Sequence, residues 1–184
     1  MYILVKVILY EEEQIVEINV QPSSPPNYPP LRPSGLGGWL VLVQIGLIAT
    51  LIQVSYQLIN YNIPSFSQEY WGILASPQGE MYHPLWAPVI IFEAAANGVL
   101  LLLTVFTLIL FYQKKALLPR MMIILYSVNL LIGIIDYVLV MNIPVASELE
   151  DGSSMRDLIR ALFTCVIWTA YFRKSERVRY TFIR

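Results

Sequence analysis

The sequence predicts an all-α membrane protein: an antiparallel four-helix transmembrane bundle preceded by a short N-terminal arm of β-like composition. The chain of 184 residues is 57% hydrophobic and only 14% charged, whereas soluble domains are about 45–50% apolar and about 25% charged. The apolar residues gather in four long stretches, and most basic residues flank only one end of each stretch. Because lipid offers no partners to backbone polar groups, such stretches cross a bilayer as helices.

Residues 1–34 are predicted to form a cytoplasmic arm and linker. Residues 1–20 combine β-branched side chains with an acidic run at positions 11–13, which favours a short extended ribbon or an interfacial segment. The apolar run is too short to span a membrane and no small-residue cleavage site follows it, so we do not predict a signal peptide. Six prolines between positions 22 and 33 disrupt helices and sheet ladders, which predicts a stiff, extended linker.

The membrane domain is predicted over residues 35–172. Its four spans are residues 36–58, 88–112, 119–141 and 158–172, each close to the ~17–25 residues that cross a hydrocarbon layer. The glycines at positions 35, 37 and 38 lack the spacing of a dinucleotide-binding loop, and we expect them to allow close helix packing. Trp39 is well placed to anchor the first span at the headgroup level.

The basic residues predict the orientation of the chain. The two loops at residues 60–87 and 142–157 are acidic, and Arg156 and Arg160 are the only basic residues on their side of the predicted bundle. The other ten of the twelve Lys and Arg residues lie on the opposite side. Under the positive-inside rule that side is cytoplasmic, so both termini are predicted to face the cytoplasm.

The tail at residues 173–184 is basic and contains aromatic residues, a composition that also occurs in nucleic-acid-binding segments. Because it directly follows a predicted span, contact with anionic lipid is favoured, at about 1 kcal/mol per basic residue near the surface. We therefore predict the lipid bilayer as a partner and do not predict nucleic acid. The predicted anchoring residues in the tail are Arg173, Lys174, Arg177 and Arg179.

Three ionisable residues lie within or at the mouth of predicted spans. Glu93, Asp136 and Arg160 all fall in the outer third of the bilayer, at similar depth. Two carboxylates and one guanidinium at one level predict a paired charge cluster, which Arg156, one turn before Arg160, could join. Asn97 lies one turn after Glu93 and completes the predicted binding or structural cluster.

Polar and small residues around these charges follow helical spacing, which predicts that each span turns one polar face toward the others. The predicted faces are Gly46, Thr50, Gln53 and Gln57 in the first span, Glu93, Asn97 and Thr104 in the second, Tyr126, Asn129, Gly133 and Asp136 in the third, and Arg160, Thr164, Trp168 and Tyr171 in the fourth.

No catalytic or metal-binding pattern accompanies these residues. Cys165 is the only cysteine and His83 the only histidine, which excludes an intrachain disulfide, a thiolate cluster and a multi-histidine metal site. We predict no cofactor and no enzymatic activity. The charges have three explanations: locking of a helix bundle, a ligand or proton site, or, least favoured, acid–base catalysis in an intramembrane hydrolase.

Several short motifs resemble a known family. The run Gly35-Leu36-Gly37-Gly38-Trp39-Leu40, the segment Phe111-Tyr112-Gln113-Lys114-Lys115 before Pro119, and the C-terminal pattern Trp168, Tyr171-Phe172, Ser175, Arg177-Val178, Thr181-Phe182 are similar to the "domain of unknown function 2569" family. The resemblance covers about residues 35–182. It implies a four-span protein of the bacterial cytoplasmic membrane and carries no activity or site residues.

The function predicted from the sequence is a non-enzymatic binding or scaffold protein, acting on a membrane-protein partner or as a homodimer. The alternative is a small proton-coupled transporter that uses the outer Glu93, Asp136 and Arg160 cluster. The two predictions differ in the interior between the spans. A dry, close-packed interior favours a scaffold, whereas a polar pocket lined by these charges favours ligand or proton handling.

Overall fold

The computed structural model describes residues 34–183, and these residues form helices without any strand. The predicted β-like arm and nearly all of the proline-rich linker lie outside the described residues. The helices are α1 (Trp39–Gln57), a π turn (Leu58–Asn62), α2 (Ile63–Ser65), α3 (Gln68–Leu74), α4 (Trp86–Tyr112), α5 (Leu118–Met141), α6 (Pro144–Leu149), α7 (Ser153–Lys174) and α8 (Glu176–Thr181).

The first membrane-capable helix is longer than predicted. It continues past residue 58 through the π turn and α2, so that Trp39–Ser65 is one apolar helical segment of 27 residues. The π turn ends two residues before Pro64, which has no N–H to donate and whose ring disfavours a regular α turn. Residues 60–65, predicted as loop, therefore belong to the end of this helix.

The second and third long helices agree closely with the predicted spans. They are α4 and α5, and the short connection between them contains Lys114 in a left-handed conformation, with φ 53°. Pro119 occupies the first turn of α5, where a missing N–H costs nothing because that donor has no partner within the helix. Strong apolar composition and one tolerated proline account for this agreement.

The fourth long helix, α7, begins five residues before the predicted span. Glu150 and Asp151 cap its start: the Ser154 N–H donates to Glu150 (2.9 Å) and the Ser153 N–H donates to Asp151 (2.9 Å). Hydrogen bonds from the serine hydroxyl and N–H groups lower the pKa of both carboxyl groups. These anions suit the positive end of a helix dipole, which explains why residues 153–157 are helical rather than loop.

By length and composition, three helices of the described residues could cross a membrane: Trp39–Ser65, Trp86–Tyr112 and Leu118–Met141. Many of their large apolar side chains are exposed, including Leu102 at 72% and Ile52 at 65%. Such a surface is unfavourable in water and suits contact with lipid. The helix α7 is not among the three, since its charged first turns at Arg156, Asp157 and Arg160 lower its hydropathy.

The long helices pack in chain order: α1 against α4, α4 against α5, and α5 against α7. In the described residues, α1 and α7 have no comparable contact with each other. One end of this arrangement holds a hydrophobic core that includes Leu40, Phe111, Leu118 and Phe172, and α8 adds Val178 to it. The helices therefore share one hydrophobic core at that end, although α1 and α7 make little direct contact with each other.

Candidate functional site

A cleft of about 820 Å³ lies between the four long helices. This volume is within the ~300–1,000 Å³ range of small-molecule sites. Each long helix contributes polar or small residues to its lining. They include Gly46, Thr50, Gln53 and Gln57 from α1, Glu93 and Asn97 from α4, Tyr126, Asn129, Gly133 and Asp136 from α5, and Arg160, Thr164 and Trp168 from α7.

Two members of the predicted polar faces lie elsewhere. Thr104 is fully buried, and its hydroxyl donates to the Leu100 carbonyl oxygen at 2.7 Å within α4. Tyr171 packs edge-on against Trp168, with ring centroids 5.6 Å apart. The residues of each polar face that lie away from the hydrophobic core at Phe111 therefore line the cleft. Thr104 and Tyr171 instead pack within the protein.

Small residues explain why the helices leave a space here. A side chain added at Gly46 would meet no atom within 4 Å, and one at Gly133 would first meet Leu158 Cδ1 at 3.7 Å. Ala96 and Ala161 also line the cleft. Since none of these residues has a side chain larger than a methyl group, the backbones can pass one another without filling the volume between them.

Glu93 of α4 and Asp136 of α5 both line the cleft, and their carboxyl groups are close enough to interact electrostatically. Both residues are partly buried. Asp136 Oδ1 is buried, and no hydrogen-bond partner for it exists among residues 34–183. A shared proton or a bound cation would relieve the repulsion between two adjacent negative charges and supply the missing partner.

The arginines are arranged differently from the prediction. Arg160 lines the cleft, but its guanidinium pairs with Asp157 at 3.1 Å, one turn earlier on α7. Arg156 pairs with Asp151 at 3.9 Å and is not part of the cleft lining. In the part of the chain that is described, neither arginine forms an ion pair with Glu93 or Asp136, so the structure does not show the predicted pairing of the three charges.

The early start of α7 is the physical reason. It places Asp157 and Arg160 three residues apart on one helix, where an exposed pair forms locally without ordering any other element. Such a pair contributes about 0.2–1 kcal/mol at most. The guanidinium of Arg160, which was predicted to pair with the carboxylates of α4 and α5, therefore forms its ion pair within α7 instead.

Asn97 has a partner that sequence reasoning missed. Its side-chain amide donates to Asn62 Oδ1 at 2.8 Å, and Asn62 is buried. Asn62 lies in the π turn, in a stretch predicted as loop, so its contact with α4 was not expected. The signal available in the sequence was the continuation of large apolar and aromatic residues, Ile59, Tyr61 and Ile63, past the predicted end of the first span.

We expect the Asn62–Asn97 hydrogen bond to couple the two helix ends. Asn62→Ala and Asn97→Ala should each destabilise the protein, and the double variant should lose less than the sum, with a coupling of about 0.6–2 kcal/mol. Detergent denaturation of the purified protein measures these values. Asn60→Ala is the control, since Asn60 is exposed and bonds only within its own helix; additive losses for the buried pair would contradict the coupling.

The predicted lipid anchors lie at the opposite end of the long helices from the carboxyl pair. Trp39 is 65% exposed at the start of α1, and Arg173 and Lys174 end α7. Arg179 is exposed on α8, while Arg177 is only partly exposed. Arg177 approaches Gly37 and Gly38, where an added Cβ would come within 3.3 and 3.6 Å of its guanidinium.

The N-terminal and C-terminal motifs meet at this end. The Gly35 N–H donates to the Thr181 hydroxyl at 2.9 Å, and that hydroxyl donates back to the Gly35 carbonyl oxygen at 3.3 Å. Gly38 begins α1 with φ 63°, a conformation that favours glycine. Phe111 contacts Phe182 with ring centroids 5.8 Å apart. Residues far apart in sequence therefore form one structural unit.

Comparison with known proteins identifies the family to which the chain belongs. The family described as "Protein of unknown function (DUF2569)" matches residues 33–183. The chain belongs to this family. It is also similar to "Inner membrane protein YdgK" of Escherichia coli (strain K12), with 26% identity over 151 residues, which cover 82% of this chain and 95% of that protein. No solved structure matches the chain.

The family resemblance seen in the sequence is therefore confirmed. Together with the three membrane-capable helices, it establishes the chain as a membrane protein from a family without an assigned function. The motif residues at Gly35, Phe111, Thr181 and Phe182 pack into the hydrophobic end of the molecule, away from the cleft. The resemblance thus rests partly on packing residues and identifies no ligand.

Proposed function

We propose that this protein is a non-enzymatic, ligand-binding protein of the bacterial cytoplasmic membrane, with its binding site in the cleft. The observation that carries the proposal is a volume of about 820 Å³ whose lining includes polar side chains from four helices, in a chain that is 57% hydrophobic. Polar groups within a membrane domain are costly and mark functional sites. A protein that served only as a packed scaffold would close such a space with apolar side chains.

The proposed topology is an antiparallel bundle in which α7 is the fourth span. Its 22 residues would extend about 33 Å, enough for a hydrocarbon core of about 30 Å. The basic end formed by Arg173 and Lys174 would then lie in the cytoplasm, as would the N-terminus. Glu93, Asp136 and the mouth of the cleft would lie in the outer half of the bilayer.

A filled cleft should abolish binding. A panel of amines, amino acids, sugars, nucleotides and carboxylates is screened for a compound that raises the melting temperature of the purified protein. We expect this compound to lose its effect in Gly46→Leu. At one hundred times its dissociation constant, a ligand stabilises by about 2.7 kcal/mol. Gly98→Leu is the matched control, since Gly98 also has free space around it but does not line the cleft.

Two results would count against the proposal that the protein binds a ligand and does not convert it. The first is stabilisation that persists unchanged in both Gly46→Leu and Glu93→Gln, which would place the ligand elsewhere. The second is a turnover activity of the purified protein that disappears in Glu93→Gln, which would make the carboxyl pair catalytic. A panel in which no compound stabilises the protein would also contradict the proposal.

The second candidate function is a small proton-coupled transporter, and the adjacency of Glu93 and Asp136 favours it. Two neighbouring carboxyl groups can take up and release a proton as a cation leaves or arrives. A continuous path would need more enclosed volume than four helices provide, which favours a dimer as the transporting unit. Arg160, paired with Asp157, would not compete for this proton.

For transport, we expect a pH gradient across proteoliposomes to drive uptake of the stabilising compound, and we expect Asp136→Asn to abolish this uptake. The amide keeps the size of the side chain but cannot exchange a proton, so coupling should disappear while binding is retained in part. Arg156→Gln serves as a control, because Arg156 lies outside the cleft lining. Equal uptake by the wild type and Asp136→Asn would exclude Asp136 as the coupling group.

A further inference from the structure

We propose that the ligand of the cleft is an organic cation with a primary ammonium group, held by the paired carboxyl groups of Glu93 and Asp136. This inference rests on the proposed ligand-binding function and adds the chemical class of the ligand. It follows from three properties of the lining: its charge balance, its unsatisfied hydrogen-bond acceptor, and the aromatic and amide side chains around the pair.

The charge balance of the cleft is negative. Its ionisable lining residues with carboxyl groups are Glu93, Asp136 and Asp157, and the basic residue among them is Arg160. Arg160 pairs with Asp157, with 3.1 Å between nitrogen and oxygen. The carboxyl groups on α4 and α5 therefore have no basic partner within the described lining. A pocket with this charge pattern concentrates cations and repels anions.

The hydrogen-bonding pattern matches an ammonium group. An R–NH₃⁺ group has three donors and no acceptor. Asp136 Oδ1 is buried without a donor in the described residues, and the neighbouring carboxyl group of Glu93 offers further acceptors. Gln53 and Asn129, whose side-chain amides contain a hydrogen-bond acceptor, line the same cleft. A cation bound here would satisfy an acceptor that the fold itself leaves unpaired.

The rest of the cleft suits an organic group. Trp168, Tyr126 and Tyr137 line it together with apolar residues such as Leu125. Aromatic rings bind both hydrocarbon surface and positive charge through their faces. The available volume of about 820 Å³ is much larger than a single ion or a water molecule needs.

A divalent metal ion is less well matched. Among residues 34–183, no three His, Cys, Asp or Glu side chains come together in a way that could hold a metal ion. Calcium requires about six to eight oxygen ligands at close range. The carboxyl pair offers fewer anionic groups than such a site uses, whereas an ammonium group needs only three acceptors.

Charge-selective labelling of one cysteine tests this inference. Thr164→Cys places a thiol on the cleft lining, in a Cys165→Ser background that removes the natural thiol. The detergent-purified protein is treated with 2-aminoethyl methanethiosulfonate, a primary ammonium, or with 2-sulfonatoethyl methanethiosulfonate, an anion. Each rate is divided by the rate of the same reagent with free 2-mercaptoethanol, which removes differences in intrinsic reactivity.

We expect the normalised rate of the cationic reagent to exceed that of the anionic reagent by roughly tenfold or more, because the negative charge of the carboxyl pair attracts the cation and repels the anion. In the Glu93→Gln/Asp136→Asn variant the ratio should approach one. A ratio near one in the parent protein would overturn the ligand class while leaving the cleft accessible. A high ratio that persists in the double variant would overturn it too, because the acidic loops would then cause the preference.

The failure of the proposed function has a different signature. If neither reagent labels Thr164→Cys in the folded protein, although both label it after denaturation, the cleft is closed and ligand binding fails as well. Each variant is checked for folding by size-exclusion chromatography and circular dichroism.

A second measurement keeps the test independent of the double variant. In the Thr164→Cys/Cys165→Ser protein with both carboxyl groups intact, 2-phenylethylamine should slow labelling by the cationic reagent. The similarly sized neutral 2-phenylethanol and anionic 3-phenylpropionate should not. Equal protection by all three compounds would overturn the preference for a cation, and protection by the anion alone would reverse it.

Discussion

The Phe111→Ala variant should lose about 3–5 kcal/mol of unfolding free energy, the usual range for removing a buried phenylalanine from a core. Phe111 is fully buried, contacts Phe182 of the C-terminal segment, and lies in the core that also contains Leu40 and Leu118. Its removal leaves a cavity where three parts of the chain meet. Denaturation of the detergent-purified protein with sodium dodecyl sulfate measures the loss.

The matched control is Leu102→Ala on the same helix. Leu102 is 72% exposed, so its truncation should change the unfolding free energy by less than about 0.5 kcal/mol. Equal stability of the two variants would contradict the assignment of the Phe111 cluster as the main core. The cleft should be little affected by either variant, since neither side chain lines it.

The second large effect concerns the side of the membrane reached by the C-terminus. We expect alkaline phosphatase to be active when fused after Glu150 and inactive when fused after Arg184. The reason is that α7 carries Arg173 and Lys174 at its end, and basic residues are retained in the cytoplasm. A fluorescent protein that folds only in the cytoplasm should give the opposite result at the C-terminus of the full chain.

This experiment isolates the contribution of α7. Only the segment between the two fusion points differs, so a change in reporter activity reports its insertion. Active alkaline phosphatase at both points would mean that α7 does not cross the membrane and that the protein has three spans. In that case Glu93 and Asp136 would keep their positions in the cleft, but Arg160 would lie in a segment outside the bilayer.

The membrane-capable helices were predictable from sequence because their signal is local. The helices α4 and α5 begin and end within two residues of the predicted spans, since a long apolar run must hydrogen-bond its own backbone in lipid. The end of the first helix and the start of α7 were not predicted. A π turn before Pro64 and the capping of α7 by Glu150 and Asp151 both depend on contacts of individual atoms.

The polar faces were also predictable, because residues spaced three or four apart share one side of a helix. The partners of the charged residues were not. Similar depth in the bilayer placed Glu93, Asp136 and Arg160 in one group, but Asp157 is nearer to Arg160 because both belong to the same helix. Asn62 is a related case: the sequence predicts a loop for its segment, and a loop residue gives no reason to expect a contact with Asn97.

Composition and periodicity alone establish a helical membrane protein with one polar stripe on each long helix, and its motifs identify the family. How far apart those polar stripes lie could be learned only from the tertiary structure. It shows that α1 and α7 do not pack against each other to a comparable extent, that small residues leave a cleft, and that two carboxyl groups meet there. Helix formation depends on neighbours in sequence, whereas a cavity depends on how separate helices fail to fill the space between them.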